Sequence, residues 1–119
     1  MTQEDKELLL KDLCARLPYG VIIQIKDWTV LDAELKIGHI NRLQISDVEL
    51  KPYLFPLSSM IEEQKVIYGD LCYSVIQSLT NNMQSELNKL INWLNKNHFD
   101  YRGLIEKGLA IDATNLNIY

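Results

Sequence analysis

The chain has 119 residues, of which 47% are hydrophobic and 24% are charged, and this balance is typical of one folded domain with a single core. Its formal net charge is -4, from 12 basic and 16 acidic residues whose signs are interspersed. Nucleic-acid backbones are bound by concentrated lysine and arginine, so the charge pattern argues against a general nucleic-acid-binding surface.

The amino-terminal residues, Met1 to Lys6, are polar and acidic, whereas an export signal would carry positive charge followed by an apolar stretch. The longest apolar runs are far shorter than the roughly 20 residues that cross a bilayer. We therefore expect a soluble, cytoplasmic domain with no membrane partner. Cys14 and Cys72 lie in apolar patterns without a Cys-x-x-Cys spacing, so both are expected to be reduced and buried.

The first predicted helix runs from Gln3 to Leu17, with Thr2 as its cap and Pro18 forcing its end. Helical spacing places five of its side chains on one apolar face: Leu9, Leu10, Leu13, Cys14 and Leu17. Leu8 points nearly opposite. It either packs beneath a later segment, which we favour, or is exposed.

From Tyr19 the apolar period changes to two, which predicts two strands, one through Val21 to Ile25 and the next through Thr29 to Ile37. The short polar link between them predicts an antiparallel hairpin. Gly38 is expected to end the second strand or form a bulge.

Further strands are predicted through Leu43 and Ile45 and, separately, through Val48 and Leu50. Two prolines, Pro52 and Pro56, bracket the next apolar stretch. Proline lacks a backbone donor, so we predict a packed connection there and exclude a central strand.

The pair Ser59 and Glu62 matches a capping box and predicts a helix from Met60 to at least Tyr68. Helix is favoured over strand for its continuation, Leu71 to Leu79. The clearest helical pattern follows, from Met83 to Asn97. Its narrow apolar stripe consists of Met83, Leu87, Leu90, Ile91 and Leu94.

The element order is a helix, then strands, then helices. It predicts an α+β fold in two layers, with an N-terminal helix, a mainly antiparallel sheet, and C-terminal helices packed on one face. The sequence contains neither an internal repeat nor a low-complexity linker, so residues 1–119 are expected to form a single domain.

Three stretches carry a family resemblance: LLLKDLCARLPYGV from Leu8, KPYLFPLSSMIEE from Lys51, and WLNKNHFDYRGLIEKGLA from Trp93. Together they resemble small proteins of Bacteroides phages and prophages. The blocks cover less than half of the chain, and the resemblance implies no activity. Phe55 and Ile61 depart from the family pattern, where a basic residue and a threonine are usual, and the middle segment 65–84 has no counterpart there.

The most suggestive polar cluster comprises His98, Asp100, Tyr101 and Arg102, beside Gly103. Such a cluster could bind an anion or a metal. A structural role is favoured, in which His98 completes the apolar face of the preceding helix, Asp100 caps the next turn and Arg102 forms a solvated ion pair. Gly103 would then permit close packing.

No catalytic motif surrounds either histidine, His39 or His98, and neither a cofactor nor a metal is predicted. The leading hypothesis is a protein-interaction or regulatory module from a mobile genetic element, with another protein as its partner. An alternative is a phage accessory nucleic-acid-binding protein, and a third is an enzyme centred on His98. Nucleic-acid binding would require a folded cluster of Lys11, Arg16, Arg42, Lys51 and Arg102.

Overall fold

The computed structural model describes residues 1–46, 48–79 and 81–119. Its helices are α1 (Gln3–Arg16), α2 (Ile37–Ile45), α3 (Glu62–Gln77) and α4 (Met83–Lys96). Its strands are β1 (Ile22–Lys26), β2 (Val30–Glu34), β3 (Glu49–Pro56), β4 (Phe99–Asp100) and β5 (Ile111–Asp112). Single 3-10 turns occupy Leu17–Tyr19 and Leu57–Ser59.

The strands form one mixed sheet in the order β2-β1-β3-β4, and β5 also pairs with β3. β1 is antiparallel to both β2 and β3. The short strands β4 and β5 run parallel to β3, with two registered residue pairs each. The antiparallel ladders are the longer ones, so the predicted α+β fold with a mainly antiparallel sheet is confirmed, as is the predicted hairpin.

Helix α1 begins where the sequence predicts, because the Thr2 hydroxyl oxygen accepts a hydrogen bond from the Asp5 amide at 3.1 Å. Its inner face differs from the predicted stripe. The buried residues are Leu9, Asp12, Leu13 and Arg16. Leu8 packs half-buried against the main core, as favoured.

The expectation that both cysteines are buried is wrong for Cys14, which is exposed, while Cys72 is half-buried. The inner face of α1 is rotated away from Cys14 because Asp12 and Arg16 take places beside Leu9. The two cysteines do not form a disulfide in the structure, and their reduced state stays a prediction.

The strand predicted through Leu43 and Ile45 is wrong, because this segment forms α2. Strand β2 ends at Glu34, and Gly38 lies inside the helix instead of ending a strand. The buried side chains Ile40 and Leu43 are three residues apart, which is helical spacing. The alternating apolar pattern of β2 continues in the sequence into α2, whose apolar residues also satisfy the helical spacing.

The exclusion of a central strand between the prolines is also wrong, because β3 pairs on both sides. Pro52 lies at the end of the ladder with β1, and Pro56 at the end of the ladder with β4. The missing N–H of proline disrupts the hydrogen bonding between strands least at the end of a ladder, so β3 accommodates both prolines.

Helix α3 starts at Glu62, and the Gln64 side chain accepts from the Ile61 amide at 3.0 Å. The predicted capping box is therefore wrong. Ser59 lies in a 3-10 turn, and its hydroxyl donates to the Pro56 carbonyl at 2.7 Å. The helix continues to Gln77, which confirms helix over strand for most of the segment that begins at Leu71.

The main core lies between α1, α2 and the sheet. A smaller cluster of Met60, Leu94 and Phe99 lies near the carboxyl end of α4. Helix α3 packs mainly against α4. The molecule is elongated, measuring 49 × 30 × 23 Å. Its radius of gyration, 15.3 Å, exceeds the value of about 13.5 Å expected for a compact chain of this length.

Candidate functional site

The four sequence-predicted site residues lie where α4 turns into β4. Asn97 ends the helix, and His98 follows in the left-handed backbone region with a φ of 62°. The predicted position of His98 on the helix's apolar face is therefore wrong, because it lies beyond the helix. The left-handed conformation at His98 turns the chain, so that Asp100, Tyr101 and Arg102 lie towards α1.

Asp100 caps the turn that follows it. Its carboxylate accepts hydrogen bonds from the amides of Arg102, Leu104 and Ile105 at 3.3, 3.0 and 2.9 Å. Gly103 has a φ of 73°, and a Cβ built there would meet nothing within 4 Å. The expected close packing at Gly103 is therefore wrong; the backbone conformation is what favours glycine there.

Arg102 forms a largely buried ion pair, because its Nη1 donates to Asp12 Oδ1 at 3.0 Å and only 16% of its side chain is exposed. The predicted solvated pair is thus wrong. The Tyr101 hydroxyl donates to Asn95 Oδ1 at 2.8 Å and accepts from Arg102 Nη1 at 3.1 Å. The guanidinium of Arg102 also lies 4.7 Å from the centroid of the Tyr101 ring.

Two residues that the sequence did not place in this cluster, Asp12 and Arg16, complete the network. Both are fully buried, and Arg16 Nε donates to Asp12 Oδ2 at 2.8 Å. Arg16 Nη2 donates to the Phe99 carbonyl at 2.6 Å, and its guanidinium lies 5.2 Å from the Tyr101 ring centroid. Opposite charges four residues apart on a leucine-rich helix were the available sign of this pair. We call Asp12, Arg16, Tyr101 and Arg102 the Asp12 cluster.

The Asp12 cluster is fully buried at Asp12 and Arg16 and partly buried at Tyr101 and Arg102. The ion pair between Asp12 and Arg102 joins α1 to the turn after α4. Buried charges persist only when they are paired and hydrogen-bonded, as Asp12 is by two guanidinium groups. Neither cavity described below includes a member of the cluster. Anion or metal binding at His98, Asp100, Tyr101 and Arg102 stays a prediction.

His98 is stacked on Tyr119, with ring centroids 3.8 Å apart and planes inclined by 10°. Burial, and then the positive charge of Arg16, lower the pKa of His98 to about 4. Its imidazole is neutral at physiological pH and is a weak base. The Tyr119 hydroxyl donates to the Tyr53 carbonyl and accepts from the Ile22 amide, both at 2.8 Å. These contacts explain the position of His98 without assigning it catalysis.

Two of the cavities in the described part of the chain bear on ligand binding. An open groove of about 490 Å³ has charged walls of both signs, from Asp5, Lys6, Glu49, Lys51 and Lys107. A hollow of about 220 Å³ lies between the 3-10 turn and α3, lined in part by Phe55 and Phe99. Within the described residues, no group of three or more His, Cys, Asp or Glu side chains is arranged to hold a metal ion.

Four of the five cations named for nucleic-acid binding form ion pairs, and two of these pairs are inside the protein. Arg16 and Arg102 are bound to Asp12 inside the protein. At the surface, Arg42 pairs with Asp27 at 3.2 Å, and Lys51 pairs with Glu49 at 3.3 Å. Arg16 and Arg102 therefore do not contribute to an exposed basic surface.

Helix α3 is open to solvent along its length, and none of its sixteen residues is buried. Its side opposite the half-buried Tyr68 and Val75 carries Val66, Tyr73 and Ile76, which are 63%, 63% and 60% exposed. Gly69 lies among them. We call Val66, Gly69, Tyr73 and Ile76 the outer α3 face.

Fold and surface together define an α+β domain that presents an exposed apolar helix. No family model, curated protein or solved structure matches this chain, so its function is argued from its own geometry. Within residues 1–46, 48–79 and 81–119, none of the helices has the length and apolar character needed to span a membrane.

Proposed function

We propose that this protein is a small protein-interaction module of a mobile genetic element, and that it binds another protein chain through the outer α3 face. The observation that carries the proposal is the exposure of Val66, Tyr73 and Ile76, each at 60% or more. Exposed apolar side chains that gather on one face are typical of interaction sites, whereas scattered ones are ordinary.

The spacing of the outer α3 face indicates the chemistry of the partner. Its members follow one another at intervals of three, four and three residues, which is the repeat of a helix that packs along another helix. Asp70 is the single charge between Val66 and Leu79, so covering this surface desolvates little charge. These features favour an apolar helical face as the ligand and disfavour an extended acidic or basic peptide.

The mobile-element part of the proposal depends on the three sequence blocks that resemble phage and prophage proteins. The outer α3 face lies within the segment 65–84, which has no counterpart in those proteins. A partner bound there would therefore be specific to this chain, whereas the buried Asp12 cluster is built from residues within the shared blocks.

Affinity purification from the native host tests the proposed docking face. The bait is used as wild type and as the double variant Val66→Glu, Ile76→Glu. The matched control, Gln84→Glu with Asn92→Glu, adds the same charge at exposed polar positions of α4. We expect the wild type and the control to retain one stoichiometric protein partner that the face variant loses.

Circular dichroism and thermal melting of dilute protein must show that all three baits are folded. Val66 and Ile76 are largely exposed, so replacing them should leave the fold intact. Equal recovery of every co-purifying protein with the face variant would contradict the proposal.

A further inference from the structure

We infer that the chain bound by the outer α3 face is a second copy of this protein, with the two α3 helices antiparallel about a twofold axis. This inference depends on the docking face proposed above and adds the identity of its occupant. It requires a surface that complements itself, since a twofold interface places the same patch on both sides.

The outer α3 face is self-complementary when the axis passes level with Leu71. Two antiparallel helices centred there place Val66 opposite Ile76 of the second copy, and Gly69 opposite its Tyr73. Val66 and Ile76, which are similar in size, then contact each other across the interface. The Tyr73 ring, the largest side chain of the face, lies over Gly69, which has no side chain. A parallel arrangement would instead place Tyr73 against Tyr73 and leave a gap between the two glycines.

Gly69 supports the antiparallel arrangement because the isolated domain gives no reason for a glycine there. It lies inside a helix, where glycine is unfavourable relative to alanine. A Cβ built at Gly69 would meet nothing within 4 Å. Space above Gly69 is needed only if another molecule, such as the Tyr73 ring of a second copy, approaches the backbone.

The exposed area also fits one further subunit. The accessible surface is 7422 Å², whereas a monomer of 13.8 kDa typically exposes about 6,600 Å². The excess is comparable to the roughly 800 Å² that each partner buries in a standard interface. A net charge of -4 on each copy is a modest barrier to association at physiological ionic strength.

Gly69→Leu provides the sharpest test, because it should act in opposite directions on the monomer and the dimer. Leucine favours the helix and meets nothing in the isolated domain, so dilute protein should melt at a higher temperature. At the interface it occupies the space of the Tyr73 ring, twice per dimer. We expect the dissociation constant, measured by sedimentation equilibrium, to rise at least about tenfold.

Gly38→Leu is the matched control, since Gly38 is also helical with nothing within 4 Å of a built Cβ and lies in α2, which packs against α1. Its self-association should equal that of the wild type. The inference is overturned if the wild type stays monomeric up to about 1 mM, a millimolar affinity being too weak for a specific dimer. Unchanged dimerisation of Gly69→Leu would overturn it equally.

Cysteine cross-linking tests the direction of the helices. In a background of Cys14→Ser and Cys72→Ser, chains carrying Val66→Cys are mixed with chains carrying Ile76→Cys under mild oxidation. The antiparallel register predicts disulfides between the two kinds of chain and few within either kind. Disulfides between like chains would indicate a parallel pair and overturn the inference.

The two proposals fail in different ways. A monomeric wild type that still captures a host protein, lost on Val66→Glu with Ile76→Glu, would overturn the second-copy inference and support the docking face. A monomeric wild type with no face-dependent partner would overturn both. Dimerisation abolished by the same double variant supports both.

Discussion

Asp12 and Arg16 show how two buried charges organise the junction between α1 and the turn after α4. Asp12 and Arg16 pair with each other within α1. The second carboxylate oxygen of Asp12 also binds Arg102, and a second guanidinium nitrogen of Arg16 donates to the Phe99 carbonyl. Such pairs add less to stability than their Coulomb attraction suggests, because both ions lose their hydration. Their main effect is positional, since removing one partner leaves the other charge buried.

Asp12→Ala should therefore reduce the free energy of unfolding by about 3 to 5 kcal/mol, the usual cost of leaving a buried charge unpaired. Urea denaturation measures the change. Glu7→Ala, on the exposed side of the same helix, should stay within about 0.5 kcal/mol of wild type. Equal effects of the two substitutions would show that the Asp12–Arg16 pair does not hold α1 in place.

His98 should make stability depend on pH in the mildly acidic range. Its pKa in the folded protein is about 4, below the usual 6.5, so the unfolded chain binds the proton first as the pH falls. The free energy of unfolding should accordingly be unaffected by His98 above pH 6.5 and decrease as the pH falls from 6.5 towards 4.

His98→Asn removes this titration and retains a residue that tolerates the left-handed backbone. Urea denaturation at a series of pH values should give a shallower decrease for the variant than for the wild type, even if its stability near neutral pH is lower. Parallel curves for the two proteins between pH 6.5 and 4 would contradict the lowered pKa.

At the scale of elements, α4 changes its environment along its length. Its predicted apolar stripe is continuous in the sequence, yet Leu94 is 5% exposed and Met83 is 40% exposed. Helix α4 packs against α3, α1 and β4, and its residues are more exposed at the amino end than at Leu94. The apolar residues of α4 are therefore expected to contribute more to stability near the carboxyl end of the helix than near its amino end.

Leu94→Ala should cost about 2 to 5 kcal/mol, as is usual for a large-to-small change in a core. Met83→Ala should cost less than about 1 kcal/mol, because much of its side chain is already in water. Chemical denaturation of both variants measures the gradient. Similar losses at the two positions would indicate that the amino end of α4 is covered in solution.

The cysteines should react at different rates, because Cys14 is exposed on α1 and Cys72 is half-buried on α3. With a thiol reagent in native buffer, one equivalent should be labelled quickly and a second more slowly. Mass spectrometry of peptides should assign the fast site to Cys14. Fast labelling of Cys72 alone would show that the inner face of α1 has been placed wrongly.

The whole molecule is elongated because α3 and α4 form a hairpin in which α3 packs mainly against α4 and makes few contacts with the main core. Local opening costs least where few apolar contacts are buried. The amides of α3 should therefore exchange with deuterium faster than those of β3, which is paired on both sides.

Hydrogen exchange read by mass spectrometry tests this difference in dilute protein. If the second-copy inference holds, raising the protein concentration should slow exchange in α3 and leave β3 unchanged. Exchange in α3 as slow as in β3 at every concentration would show that the helix is as firmly held as the sheet.

Local sequence patterns were sufficient for much of the fold. Helix α1 with its Thr2 cap, the β1–β2 hairpin and the helical nature of α3 and α4 are each encoded by residues close together in the chain. Where two periods fitted one segment, as in α2, the local pattern did not decide. The start of β3 was predicted as a strand through Leu50, but its continuation between the prolines was excluded, because prolines are harmless only at ladder ends and strand pairing defines those ends.

The candidate sites also combine features that the local sequence determines with features that only the tertiary structure determines. The sequence alone determined that Asp100 caps a turn and that a polar cluster follows α4, since capping joins neighbouring residues. Only the tertiary structure decided that Arg102 reaches Asp12 across 90 positions, that Arg16 reaches Phe99 across 83, and that one apolar side of α3 stays uncovered. The physical reason is that helical periodicity specifies which side chains share a face, whereas the packing of distant segments determines which face meets water.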